Sequence, residues 1–335
     1  MRAGLLSAHG TSAYLRLART SKPALARFLL TRGVWLLFLD VVVMRFALQF
    51  NLDYHVTVIN VLWGLGWSMI VLAPLLWLPL WAIASFGALL VLGHNLLDSL
   101  PIGGDVSPLW VFLHQPGVLY SSSHTTVLLS YVLIPWVGVT ALGYALGEVY
   151  RMEGDRRRGL LLLMGGALVV AFLGLRGLNT YGDPSPWSAQ RSPLWSLISF
   201  LNTTKYPPSL LFLLMTLGPA LLLLRAFDNR VPTALRPALI VGQVPLFFFV
   251  LHFFYIHLLA VGVSYLRCGE VREVPGSRSL SLQRALRLER WPTGHLCALG
   301  TGRDHAVPTV PLVCRGEATP RHMVAQLSVR AVSCG

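Results

Sequence analysis

The chain has 335 residues, 54% hydrophobic and only 12% charged, with a formal net charge of +13. Soluble domains carry about 25% charged residues, so this shortfall, with a mean hydropathy of +0.62, excludes an ordinary soluble fold. So basic a balance would point to nucleic acid in a soluble protein, but here the cations sit between apolar runs, where they orient helices in a lipid bilayer. No nucleic-acid partner is expected.

Met1 to Tyr14 lacks the apolar core of a cleavable signal peptide, so insertion is expected to start at the first hydrophobic span. Crossing a bilayer takes roughly 17–25 apolar residues. Such runs fall at about 28–50, 57–78, 80–97, 127–150, 159–178, 207–225 and 237–265. They predict an all-α polytopic transmembrane bundle of about seven spans. The very short Trp77-Leu78-Pro79 link predicts a tight hairpin between the second and third. Two polar loops remain, 98–126 and 179–206.

Orientation follows from Lys and Arg. Arg16, Arg19, Lys22 and Arg27 precede the first span, Arg151 and Arg156 to Arg158 follow the fourth, and Arg225, Arg230 and Arg236 follow the sixth. Loop 98–126 has no Lys or Arg, and loop 179–206 has only Arg191 and Lys205. Seven alternating spans place the three basic clusters inside and both long loops outside.

Polar groups at membrane depth are costly and mark candidate sites. Arg32, Asp40 and Arg45 interrupt the first span, as a structural ion pair with a neighbouring helix or as part of a substrate path. In Gly93-His94-Asn95-Leu96-Leu97-Asp98 the imidazole and carboxylate are four apart. A continuing α-helix puts them on one face, where the carboxylate raises imidazole basicity and fixes its tautomer. An interfacial helix end that meets water explains the same residues. The outward loop then carries His114 beside Gln115-Pro116-Gly117, with His124 following, over a pocket mouth or simply in solvent. Near the second loop's return, Lys205 and Tyr206 suit interfacial anchoring, and Lys205 also suits an anionic group of a substrate. In the seventh span His252 and Tyr255 share a face and suit a buried hydrogen bond.

Several short motifs together are familiar: Gly10-Thr-Ser-Ala-Tyr-Leu15, Arg27-Phe-Leu-Leu-Thr-Arg32-Gly33 and Asn51-Leu-Asp53-Tyr54. To these add Gly93-His94-Asn95-Leu-Leu-Asp98, the His114-Gln115-Pro116 stretch, Thr204-Lys205-Tyr206-Pro-Pro-Ser209 and Pro245 to His252. Across about residues 9–266 the chain resembles the bacterial relatives of heparan-alpha-glucosaminide N-acetyltransferase, a membrane acyltransferase family. The resemblance implies transfer of acetyl from cytosolic acetyl-CoA, the acyl donor, to an amine or hydroxyl of an extracytoplasmic saccharide, in a multi-pass protein of the bacterial inner membrane. The family's catalytic group is a histidine of its first luminal loop. That role maps onto His114, with His94 and Asp98 or His124 as alternatives. Asn95, Lys205, Tyr206, Asp40, Arg45 and His252 are then expected to bind substrate. No metal is implied, and a homo-oligomer is left open.

The family pattern has a further helix before Gly-Thr-Ser and further spans after the His252 helix. Here Met1 stands at the end of that first helix, so the chain reads as truncated there. Residues 267–335 instead hold 10 Arg, no Lys and all four cysteines (Cys268, Cys297, Cys314, Cys334). That tail is expected to be disordered, and its abrupt composition matches a frame change in the coding sequence, which allows for an inactive chain. The division expected is 1–266, acyltransferase-like, and 267–335, tail. A transporter or flippase with Asp40, Arg45 and His252 lining a path is the rival reading, though no internal repeat supports it. An inactive structural membrane protein is another.

Overall fold

The computed structural model describes residues 2–50, 52, 54–99, 107–229 and 232–268. The chain divides into two compact units, Met1–Phe254 and Tyr255–Gly335. The described part of the second is the C-terminal stretch of helix α12 (Pro245–Cys268). The expectation of a disordered or frame-shifted tail falls, beyond Arg267 and Cys268, on residues 269–335, outside the described residues. Asn51 and Asp53 lie outside them too.

The first unit is a helical bundle. Helix α1 (Arg2–Leu17) and α5 (Leu80–Gly93) both pack on α7 (Leu133–Val149). Helix α2 (Lys22–Phe38) runs through a π-helical segment (Leu39–Met44) into α3 (Arg45–Gln49) and packs on α4 (Val61–Leu75), while α8 (Gly154–Leu178) pairs with α10 (Leu210–Ala226). Shorter helices are α6 (Pro108–Leu113), α9 (Pro193–Leu201) and α11 (Arg236–Gln243). Helix starts share one device. Ser21, Ser107, Ser192 and Ser209 cap α2, α6, α9 and α10, each hydroxyl accepting from the backbone N–H three residues on, which satisfies an amide the helix leaves open.

Each main helix pair crosses where glycines let the backbones close in. A Cβ on Gly33 would stand 2.8 Å from the Gly66 carbonyl, one on Gly87 2.9 Å from that of Gly138, and one on Gly165 3.1 Å from that of Gly218. At the α1–α7 crossing a Cβ on Gly10 would fall on the backbone of Thr140, Gly143 and Tyr144. In lipid, where helix association rests on close packing rather than hydrophobic exclusion, small residues at crossings are the expected solution. Around them Leu25, Leu29, Leu62, Leu65, Leu72, Trp136, Tyr144 and Leu211 form one buried core.

Among the described residues three helices are long and apolar enough to cross a membrane, Leu80–Asp98, Gly154–Leu178 and Pro245–Val263. Three more, Val61–Leu75, Leu133–Val149 and Leu210–Ala226, are apolar but shorter. The expected first span is helical but carries charge, and length and composition alone do not give seven. Several boundaries also move. Residues 57–59 and 127–129 are strand rather than helix: β1 (Val56–Ile59) pairs in parallel with β3 (Thr126–Leu129), which pairs antiparallel with β2 (Gly117–Ser121). The described residues are therefore mostly helical, with one small three-stranded sheet among them. The seventh expected span breaks at Val244, because the residue before Pro245 is pushed out of helical geometry. The turn at 76–79 is tight as expected, but α4 and α5 each lean on α7.

The connections sort by bundle end. The sheet joins residues 56–59 to 117–129, while hydrogen bonds join α5's C-terminus to Tyr181 and to residues 208–210. At the opposite end Arg157 pairs with Asp228 at 2.8 Å and Arg158 meets Asn229. Both long loops thus share one end and two basic links the other, the same alternation the charge pattern predicts.

Candidate active site

After Gly93 the chain leaves the α-helix and tightens into a 3-10 turn, His94–Ser99. A 3-10 turn has about 3.0 residues per turn, so residues three apart eclipse. Asn95 and Asp98 therefore meet, and His94 and Asp98 do not. The Asn95 Nδ2 amide donates to Asp98 Oδ2 at 2.7 Å, while Asn95 Oδ1 accepts from the Leu210 backbone N–H at 2.8 Å. The expected His94–Asp98 pair is replaced by another. Both His94 ring nitrogens face carbonyls, Nδ1 that of Val91 at 2.9 Å and Nε2 that of Pro208 at 2.8 Å. His94 is a strut between α5 and the start of α10.

Asp98 instead meets His114. Its Oδ1 lies 2.9 Å from Nε2, and His114 is only 3% exposed. Helix α6 sets this up: Ser107 caps it, and it ends at His114, whose ring lies against Trp110 with centroids 5.1 Å apart. The carboxylate favours the tautomer with the proton on Nε2, leaving the lone pair on Nδ1. That Nδ1 is buried and has no hydrogen-bond partner among the described residues. The indole nitrogens of Trp67, Trp136 and Trp187 are buried in the same way, but an indole N–H only donates, whereas the imidazole offers a basic lone pair. His94 stands beside it, ring centroids 6.3 Å apart.

Loop 179–206 supplies a supporting layer that residue types alone did not disclose. Tyr181 donates its hydroxyl to the Leu92 carbonyl, and burial, then the charge of Asp98, push that hydroxyl above its ordinary pKa. Gly182, at φ 93, turns its carbonyl toward the Leu211 N–H at 2.9 Å, a backbone shape that favours glycine. Asp183 accepts from the Thr204 N–H and hydroxyl, both at 2.8 Å, from the Ser185 N–H at 2.8 Å and from the Ser209 hydroxyl at 2.7 Å. Arg176 is 1% exposed and donates to the carbonyls of Ser185, Ser199, Phe200 and Asn202. The one readable signal was Asp183 between Gly182 and Pro184.

The remaining expected binding residues are held elsewhere. Asp40 is buried in the π-helical segment and accepts from the Asn60 N–H at 2.7 Å, so its charge faces the open amides of α4's first turn. The Arg45 guanidinium lies over the Tyr54 ring at 4.3 Å. Lys205 is exposed, 5.3 Å from the Tyr206 ring, and Tyr206 turns inward to Tyr131, hydroxyl to hydroxyl 3.2 Å. His252 turns Nδ1 to the Phe248 carbonyl at 3.2 Å among Phe248, Phe249 and Phe253. His124 is exposed.

One family model, described as heparan-alpha-glucosaminide N-acetyltransferase, catalytic, matches residues 3–182, which is 180 of the 335. It contains His94, Asn95, Asp98, His114 and Tyr181 and ends just before Asp183. Nothing matches among curated proteins or among solved structures.

Proposed function

The chain belongs to the heparan-alpha-glucosaminide N-acetyltransferase catalytic family, and from that premise we propose that it moves acetyl from cytosolic acetyl-CoA to an amine or hydroxyl of an extracytoplasmic sugar, with His114 as the base. In this reading seven segments cross a bacterial plasma membrane, with loops 98–126 and 179–206 outside. The observation that carries the role of His114 is its pairing: Nε2 is held by Asp98 at 2.9 Å and Nδ1 is buried without a partner. His94 has the same ring, but each of its nitrogens faces a backbone carbonyl at hydrogen-bond distance.

Chemically, the Nδ1 lone pair takes the proton of the acceptor amine or hydroxyl as that atom attacks the acetyl carbonyl. Asp98 stabilises the imidazolium that forms, the new N–C or O–C bond replaces the thioester C–S bond, and the coenzyme thiolate leaves. Buried surroundings strengthen the carboxylate–imidazolium interaction relative to water. At the opposite end of the bundle, Arg151, Arg156 and Arg225 are exposed and supply cations for the donor's phosphates.

The test is His114→Ala in membrane vesicles given acetyl-CoA on the cytosolic side and an amino sugar on the other. General-base assistance is worth about 10²–10⁴-fold, and a loss in that range is expected. Near-normal transfer at unchanged protein level would remove His114 from the mechanism.

A further inference from the structure

Helix α9 (Pro193–Leu201) is built inside out for a loop in water. Its hydroxyls face the protein: Ser192 caps the helix, the Ser196 hydroxyl accepts from the Gln190 N–H at 2.8 Å, and the Ser199 hydroxyl accepts from the Ser188 N–H at 3.2 Å. Phe200 packs between Phe172 and Trp187, with ring centroids 5.7 and 5.3 Å away. Its apolar residues face out. Leu194 is 64% exposed, Trp195 62% and Leu197 53%, with Ile198 and Leu201 exposed beside them. Leu194, Ile198 and Leu201 follow the i, i+4, i+7 spacing of a single stripe. A helix on a water-facing loop normally points that stripe at the core.

We propose that α9 is an interfacial helix whose outer stripe is dipped into the lipid of the outer leaflet. Three observations commit the face to lipid. It is fastened through Phe172 and Arg176 to α8, a candidate membrane span whose Val170, Leu173 and Leu178 are exposed. It carries a tryptophan, which membrane interfaces favour. It is bracketed by exposed cations, Arg191 before and Lys205 after, placed for anionic headgroups. Such helices lie in the interface plane with the apolar face about 5–10 Å deep. Arg176 then fastens the helix, binding the carbonyls of Ser199, Phe200 and Asn202 at its C-terminal end.

The test uses the full chain with its four cysteines changed to serine, in vesicles of phosphatidylcholine and phosphatidylglycerol. Nitroxides at Leu194→Cys, Leu197→Cys, Ile198→Cys and Leu201→Cys are probed with oxygen, which partitions into lipid, and with a water-soluble nickel chelate. Greater oxygen than nickel accessibility at all four supports the proposal. Greater nickel accessibility places the helix in water and overturns it. Low access to both overturns it too, with spin–spin broadening identifying a second copy as the cover. Because labels disturb small helices, Trp195→Phe supplies a second reading: it should remove a share of the fluorescence quenching caused by brominated lipid, and unchanged quenching counts against lipid contact. Neither readout involves acetyl transfer, so the outcome stands whatever the role of His114.

Discussion

Changing Asp98 to Asn tests whether the hydrogen-bond chain through the site fixes the His114 tautomer. The chain starts at a donor that cannot change, the Leu210 backbone N–H, which bonds Asn95 Oδ1 at 2.8 Å. Asn95 Nδ2 must then donate to residue 98, at 2.7 Å. An aspartate accepts there and also accepts from His114 Nε2 at 2.9 Å. An asparagine has one oxygen for these two donors. With its oxygen toward Asn95, its NH₂ meets Nε2, so the imidazole proton moves to Nδ1 and the free lone pair is lost. With its oxygen toward His114, two NH₂ groups face each other. Reaching that second arrangement forfeits a buried hydrogen bond, about 1–3 kcal/mol, or roughly 5- to 150-fold in rate, before loss of the anion is counted. Asp98→Asn should therefore fold but lose at least this much acetyl transfer in the vesicle assay. Asn95→Asp combined with Asp98→Asn restores the pattern. The carboxylate, now at position 95, accepts from the Leu210 N–H and from the amide NH₂ at position 98, whose oxygen accepts from Nε2. The double variant should recover part of the loss, the remainder reflecting a negative charge one residue farther away. In a His114→Ala background Asp98→Asn should cost little more, since residues acting as a unit are not additive. A double variant no better than Asp98→Asn alone would refute the reasoning.

Two further outcomes follow from the bundle. Gly10→Ala drives a methyl into the backbone of Thr140, Gly143 and Tyr144 and should cost about 1–3 kcal/mol by overpacking, whereas Gly166→Ala, inside α8 with nothing within 4 Å, should leave thermal stability in detergent unchanged or raise it by up to about 1 kcal/mol; a comparable loss in both would mean that α1 does not pack as described. Single cysteines at Ser122 and Ser188 should react with an impermeant thiol reagent outside intact cells, while those at Gly154 and Asn229 should not, and the reverse pattern would invert the topology.

The apolar helices were legible because a bilayer-length apolar run has few alternatives. Helices α5, α8 and α12 follow such runs, except where Asp155 and Arg156 to Arg158 extend the start of α8 and where Pro245 cuts in before α12. Residues 57–59 and 127–129 merge with the neighbouring apolar runs because four-residue strands look like helix ends until their partner is known, and that partner lies 70 residues away. In the site, the resemblance points to His114, but the sequence spacing pairs Asp98 with His94 rather than with His114. The i, i+4 rule belongs to α-helices, and 94–99 is a 3-10 turn, which brings together 95 and 98 instead. Arg176 carries no readable signal, and Asp183 only its place between Gly182 and Pro184, because their partners, backbone groups and hydroxyls up to 26 residues on, have no sequence signature. Asp40, Arg45 and His252 drew attention as polar groups at depth, and each has a local structural contact.

The family match stops at residue 182, yet the groups that orient His114 do not. His94 is braced by the Pro208 carbonyl and Asn95 by the Leu210 N–H. Residues 208–210 are placed in turn by Asp183, through Ser209 and Thr204, and Asp183 sits beside the Ser185 carbonyl that Arg176 holds. Without α10 the Asn95 amide has no fixed donor opposite it and is free to rotate, and the argument that Asp98 must accept from it fails. The smallest unit able to hold the proposed base in its working tautomer therefore runs from α5 through α10, past the matched segment. Loop 179–206 belongs to that unit as a brace rather than as a cover. It is held by an arginine donating to four carbonyls and an aspartate accepting from two hydroxyls and two amides, bonds that tie the loop to itself and to the start of α10.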